Sequence, residues 1–228
     1  MRSVRKARAM ITRILTSLMI ASFACGSTAL AAAKLPPKPD AAEAAFVAGI
    51  QADLNARFST PEAARKAGYV RYTNEDATGA ISYANRHWTS DDTKHPSQLW
   101  YDVKGRLLGA DFSVLQSASP QAPSLWGISP SRWEKIPLHV HYSLAGPNGP
   151  SYSGMSPKKY AAAGGDPEYP DAAGIVKAGA AKHASDVRFT FAFPAIWDLT
   201  VWTLPNPDGA FAEANPSVIP SASAKSAM

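Results

Sequence analysis

The chain has 228 residues, 46% of them hydrophobic and 18% charged, with a single cysteine. That balance excludes a disordered, collagen-like or disulfide-stapled polypeptide and describes an ordinary globular protein. The formal charge of +5 is uneven: Arg2, Arg5, Lys6, Arg8 and Arg13 stand in the first 31 residues with no acid among them, and without these five the 23 bases become 18 against 18 acids. The remainder is neutral, so no nucleic-acid footprint is read from the charge.

Those first residues have the three parts of a secretory signal: a basic start, an apolar stretch from Ile14 to Ala24, and a small-residue exit at Ala29-Leu30-Ala31. Cleavage is expected after Ala31 or Ala33. The apolar run is shorter than the roughly 20 residues of a membrane helix, so no stable span is expected after cleavage. Cys25 lies inside the segment, but Ser22 stands three residues before it where lipoproteins usually carry Leu, which disfavours a lipid anchor. The mature chain then has no thiol for a disulfide, a metal or nucleophilic attack. The expected organisation is a signal peptide over 1–31, a linker over 32–39, a single domain over 40–216 and a flexible tail over 217–228. Export ends in the periplasm or outside the cell.

After the Pro-rich linker, Asp40 and Glu43 have capping-box spacing, and Phe46, Ile50, Leu54 and Phe58 recur every fourth residue, predicting a docking helix. Thr60-Pro61-Glu62 starts a second, short helix that ends at Gly68. From Tyr69 the period becomes two, and strands are predicted over 69–73, 80–89, 98–103, 106–115, 138–144, 187–193 and 197–204. Lys104-Gly105 is a tight hairpin signal. Short helical pieces are expected over 130–135, 157–163 and 172–182. The order implies an α+β fold: a single domain, with an antiparallel β-sheet and helices packed on it.

With Pro194-Ala195-Ile196 as a turn, the last two strands pair so that Phe193, Phe191 and Phe189 meet Trp197, Leu199 and Val201 on an apolar face. The other face then places Arg188 over Trp202, a cation–π pair.

His139-Val140-His141 is the strongest chemical signal. On a strand both imidazoles leave one face, while Leu138, Val140, Tyr142 and Leu144 leave the other. Two imidazoles on a rigid strand begin a Zn or Cu site, which needs further His or carboxylate ligands. Asp198 and His87 are the first candidates, followed by Asp91, Asp92, His95 and His183. The plain structural alternative is a polar strand face that happens to carry two His. Glu134, Asp111 and Asp102 are candidate paired carboxylates. No Gly-x-Ser-x-Gly elbow, Ser-x-x-Lys, His-Glu-x-x-His or phosphate-loop glycine spacing occurs. Six tryptophans with many Tyr and Phe supply core, and some could line an apolar or sugar-like pocket near His139, His141 and Tyr142.

The C-terminal stretch WDLTVWTLPNPDGAFAEANPSV, residues 197–218, resembles the end of a group of exported bacterial proteins of unknown function. The likeness is carried by Asn206-Pro207, Gly209-Ala210-Phe211 and Asn215-Pro216, with the upstream His139 and His141 matching a His-bearing strand. Where that group usually has a His two residues before the second Trp, this chain has Thr200, a poor ligand for Zn or Cu. The resemblance covers about a tenth of the chain and implies an exported relative, not an activity. The same segment reads physically as a tight turn with Phe211 tucked back as a plug.

The reading is therefore an exported domain that binds a small molecule or a divalent transition metal on the face bearing His139 and His141, with Tyr142, Trp202 and Arg188 as further ligand contacts. The alternatives are a metal-dependent enzyme using the same His pair with Asp198 or Glu134 as base, and an envelope-interaction protein without a ligand. Nothing in the sequence sets the oligomeric state.

Overall fold

The structure, a computed structural model, is described for residues 37–85 and 92–224. The expected signal peptide with Cys25, most of the linker, and His87, Trp88 and Asp91 lie outside the described residues.

Asp40 caps helix α1 (Ala41–Arg57): its carboxylate accepts the Glu43 amide at 2.9 Å, and the Glu43 side chain accepts the Asp40 amide. Val47, Ile50, Leu54 and the following Phe58 are buried, whereas Phe46 is partly buried and stacks flat on Trp126 at 5.6 Å. Helix α2 (Pro61–Lys66) starts on the Thr60 cap and stops before Gly68, whose φ of +89° turns the chain out of the helix.

Among the described residues nine strands follow: β1 (Val70–Arg71), β2 (Ile81–Ala84), β3 (Gln98–Tyr101), β4 (Leu107–Leu115), β5 (Glu134–Ile136), β6 (His139–Leu144), β7 (Ser151–Met155), β8 (Val187–Phe193) and β9 (Ile196–Trp202). Helices α3 (Pro157–Ala162) and α4 (Ala172–Lys177) lie between β7 and β8. The fold is α+β with all pairings antiparallel, but the strands form two sheets, ordered β1-β2-β3-β4-β9-β5 and β7-β6-β8. Among the described residues no helix is long and apolar enough to cross a membrane.

Alternation sorts each sheet's two faces. Ala110, Phe112, Val114, Leu199 and Val201 of the larger sheet pack with Val47, Ile50 and Leu54 of α1. Its other face gives Ala84 and Ile196, beside Tyr72, to Phe191 and Phe193 of the smaller sheet. The far face of the smaller sheet gives Val140 and Met155 to Tyr160 of α3 and Ile175 of α4. Gly165 and Gly174 are needed there, because a Cβ at either would fall 2.3 Å or less from the Tyr160 side chain.

Several expectations are corrected. The last two strands do not form a hairpin: β8 pairs with β6, and β9 inserts between β4 and β5. A period of two fixes which residues share a face but not which strand they meet, so the clean split of apolar and polar residues was compatible with either partner. Arg188 and Trp202 consequently lie in different sheets. Trp202 is buried edge-on against Trp100 at 5.4 Å, and its indole Nε1 donates to the Ala212 carbonyl at 2.6 Å. The helical piece over 130–135 is a single 3-10 turn, Pro130–Arg132, after which the chain extends into β5. The helix expected over 172–182 stops at Lys177, before Gly179 with φ +74°.

The tail is not free either. Val218 is buried beside Ala80 and Trp202, and Ser221 donates its amide to the buried Glu75 carboxylate at 2.7 Å. In the preceding turn Gly209 has φ +104°, Asn206 and Asn215 tie the loop to the Ala214 and Pro205 carbonyls, and Phe211 is buried under the Arg132 guanidinium.

Candidate ligand-binding cleft

The alternation of β6 sends His139 and His141 to the face that meets the larger sheet. Each imidazole stacks on its cross-strand partner in β8: His139 on Phe193 at 5.1 Å, His141 on Phe191 at 5.3 Å. The two rings stand edge-to-face at 4.7 Å, and Tyr72 meets His141 edge-on at the same distance. Burial among these rings lowers the pKa of both imidazoles. For His139 the Pro137 carbonyl partly offsets the effect; for His141 the neighbouring His139 adds to it, bringing the value down to about 3.

Both imidazoles are therefore neutral near pH 7. A carbonyl only accepts, so the 2.8 Å contact of His139 Nδ1 with the Pro137 carbonyl places the proton on Nδ1 and leaves Nε2 as an acceptor.

The pair lines a cleft of about 720 Å³ between residues 72–76 on one side and β6 and residues 152–156 on the other, with Pro137 at its edge. Residues 72–76 are held by backbone and side-chain bonds to β2 and the turn before it: Thr73 Oγ1 accepts the Ser82 amide at 2.8 Å, and Asp76 Oδ1 accepts the amides of Thr78 and Ala80. Asn74 donates to the Tyr152 carbonyl at 2.9 Å, tying the two walls together. Sequence reasoning missed Tyr72, Glu75, Asp76 and Tyr152. Residues 74–79 fall between the strands expected over 69–73 and 80–89, and the Gly- and Ser-rich approach to β7 hides a strand, so no chemical signal marked either wall.

A second polar cluster lies on the larger sheet, on the face toward the smaller one. Glu134 stands directly opposite Asp198, and Asp111 is Asp198's diagonal neighbour across β9 and β4. Asp111 is buried, with Oδ2 accepting Trp100 Nε1 at 3.0 Å and Oδ1 accepting Thr200 Oγ1 at 3.1 Å. Ser113 Oγ donates to Asp198 at 2.6 Å. Burial first, then the Asp198 charge, pushes the Asp111 carboxyl well up. Asp198 rises to about 7, mainly by desolvation, with Ser113 opposing and Glu134 adding. The row therefore retains a proton near neutral pH. Tyr72 joins this cluster to the cleft: its hydroxyl donates to the Gln98 amide oxygen, and burial beside Asp111 and Asp198 pushes its pKa up.

The structure thus brings together His139 and His141, and separately Glu134, Asp111 and Asp198. Asp198 is not among the residues lining the cleft. Tyr142 faces the α3 and α4 side, Trp202 is core, and Arg188 is exposed on β8, so none joins the imidazoles. Asp102 caps the turn between β3 and β4, accepting the amides of Lys104 and Arg106. His95 is engaged by Asp92, and exposed His183 precedes the 3-10 turn Ala184–Asp186. Among the described residues no group of three or more His, Cys, Asp or Glu is placed to hold a metal ion. No protein-family model, curated protein or solved structure matches the chain.

Proposed function

We propose that this chain is an exported protein that binds a small organic molecule in the cleft beside His139 and His141, without transforming it. One observation carries the reading: two neutral imidazoles, braced by Phe191, Phe193 and Tyr72, border a cleft within the size range of small-molecule sites. Rings fixed by stacking are preorganised, so ordering them costs a ligand little. Gly154 lies opposite His141 on β7, and a Cβ there meets only ordinary contacts at 3.4 Å or more, so the cleft can be filled from this position without breaking the strand.

The test is a fragment screen by thermal shift and ligand-observed NMR on the purified protein and on Gly154→Phe, with the intact mass recorded first. The expected mass is that of a chain beginning at Ala32 or Lys34, and hits on the parent are expected to disappear in the filled variant. An uncleaved mature protein would overturn export. Hits that persist in Gly154→Phe, or no hits at all, would overturn the cleft.

A second reading, a Zn or Cu site, is favoured by the His139 tautomer, since an imidazole whose Nδ1–H is anchored on a carbonyl presents Nε2 to a metal. Elemental analysis of protein purified without a His tag decides it: stoichiometric metal that a folded His139→Ala/His141→Ala variant lacks would support the site, and metal-free protein after incubation with Zn or Cu would remove it.

A further inference from the structure

We propose that the ligand class of this cleft is an organic ammonium ion, an inference that rests on the cleft being a binding site at all. The argument is an account of the polar atoms along its walls. Asp76 directs its bonds through one oxygen: Oδ1 takes the Thr78 amide and hydroxyl and the Ala80 amide, leaving Oδ2 without a partner among the described residues. His139 likewise spends its only N–H on Pro137, leaving Nε2 as a lone-pair acceptor. One N–H of the Asn74 amide goes to the Tyr152 carbonyl, and the Tyr72 hydroxyl goes to Gln98. The hydroxyls of Tyr152, Ser153 and Ser156 donate or accept and impose no preference. Asp76 Oδ2 and His139 Nε2 are acceptors with no bond among the described residues, and they call for a donor.

Charge points the same way. The lining carries the Glu75 and Asp76 carboxylates and no Lys or Arg. Glu75 accepts the amide and the hydroxyl of Ser221, both neutral donors. The Arg71 guanidinium, which is not among the lining residues, is pinned over the Tyr152 ring at 5.0 Å with Nε on the Thr73 carbonyl at 2.9 Å. An ammonium group supplies N–H donors and the missing positive charge together, while the aromatic walls and the volume accommodate a carbon skeleton that a bare ion lacks.

The test uses fragment triads, each one aryl-alkyl scaffold carried as a primary ammonium, an alcohol and a carboxylate, titrated into the purified protein at pH 7 and two salt concentrations. The ammonium member is expected to bind about tenfold more tightly than the alcohol, with the preference shrinking at high salt and the carboxylate weakest. Asp76→Asn keeps an Oδ1 acceptor for the turn and is expected to remove most of that preference while leaving alcohol binding unchanged. Gly154→Phe abolishes all binding. Equal affinity for ammonium and alcohol, or tighter carboxylate binding, with loss in Gly154→Phe, would overturn the ammonium assignment and leave the cleft intact. Binding of no triad, or binding indifferent to Gly154→Phe, would overturn the cleft itself. Should Asp76→Asn fail to fold, the parent's ranking and its salt dependence decide the assignment alone.

Discussion

His141 and Asp198 titrate in opposite senses across the same pH range. His141 is held near 3 in the fold against an ordinary 6.5, so unfolding takes up a proton between those values and stability falls as pH drops from 6.5 toward 3. Asp198 is held up to about 7 against an ordinary 3.8, so the folded state keeps a proton that the unfolded chain gives up, and stability falls as pH rises from 3.8 through 7. Between 3.8 and 6.5 the two slopes oppose and flatten the profile of the parent. Relative to the parent, we expect His141→Phe to tilt the profile toward a decline with rising pH, and Asp198→Asn to tilt it toward a climb, each by about 3 kcal/mol across that interval. Urea midpoints at four pH values check this. Parallel profiles for the three proteins would remove both groups as sources of pH dependence.

At the scale of elements, α1 is held to the rest of the fold by an ion pair as well as by its apolar stripe. Arg132 Nε and an Nη reach Glu43 at 3.0 and 2.7 Å, both side chains being almost fully buried, and Glu43 also accepts the Ser129 amide at 3.2 Å. Removing one partner strands the other charge. Arg132→Met is therefore expected to cost about 3–5 kcal/mol in urea unfolding, while Arg132→Met combined with Glu43→Leu recovers most of the loss. A single variant within about 1 kcal/mol of the parent would show that Glu43 is satisfied without Arg132.

The capping box and the every-fourth-residue stripe of α1 were legible because a helix's contacts are local; the Glu43–Arg132 pair, which joins residues 89 apart in the chain, was not. The same distinction divides the site. The shared face of His139 and His141 follows from alternation alone, whereas Tyr72 and Asp76 reach them only through the packing of two sheets. Strand β5, three residues after a 3-10 turn, is too short to carry a period at all.

For the whole molecule, the C-terminal segment is a brace rather than an appendage. It runs from the Phe211 plug through Val218, which would meet a Cβ on Gly79 at 2.9 Å, to Ser221 on Glu75 at the wall of the cleft. Ending the chain at Pro216 is expected to lower stability by about 2 kcal/mol through exposure of Val218 and its neighbours, and to loosen the 72–76 wall. Hydrogen exchange of the truncated protein reads the second effect: faster exchange confined to residues 72–80 supports the brace, and unchanged midpoint and exchange would make residues 217–228 dispensable.

The seat of β9 between β4 and β5 also bears on the order of events in time. The larger sheet's row from β4 to β5 has a gap until residues 196–202 are available, so the chain up to residue 195 can collapse but cannot close its sheet. Long-range pairings of this kind are slow to form and wait on the end of synthesis. A polypeptide built in this order completes its larger sheet only once nearly all of it is present, and a chain halted before residue 196 leaves β4 and β5 each with an unpaired edge.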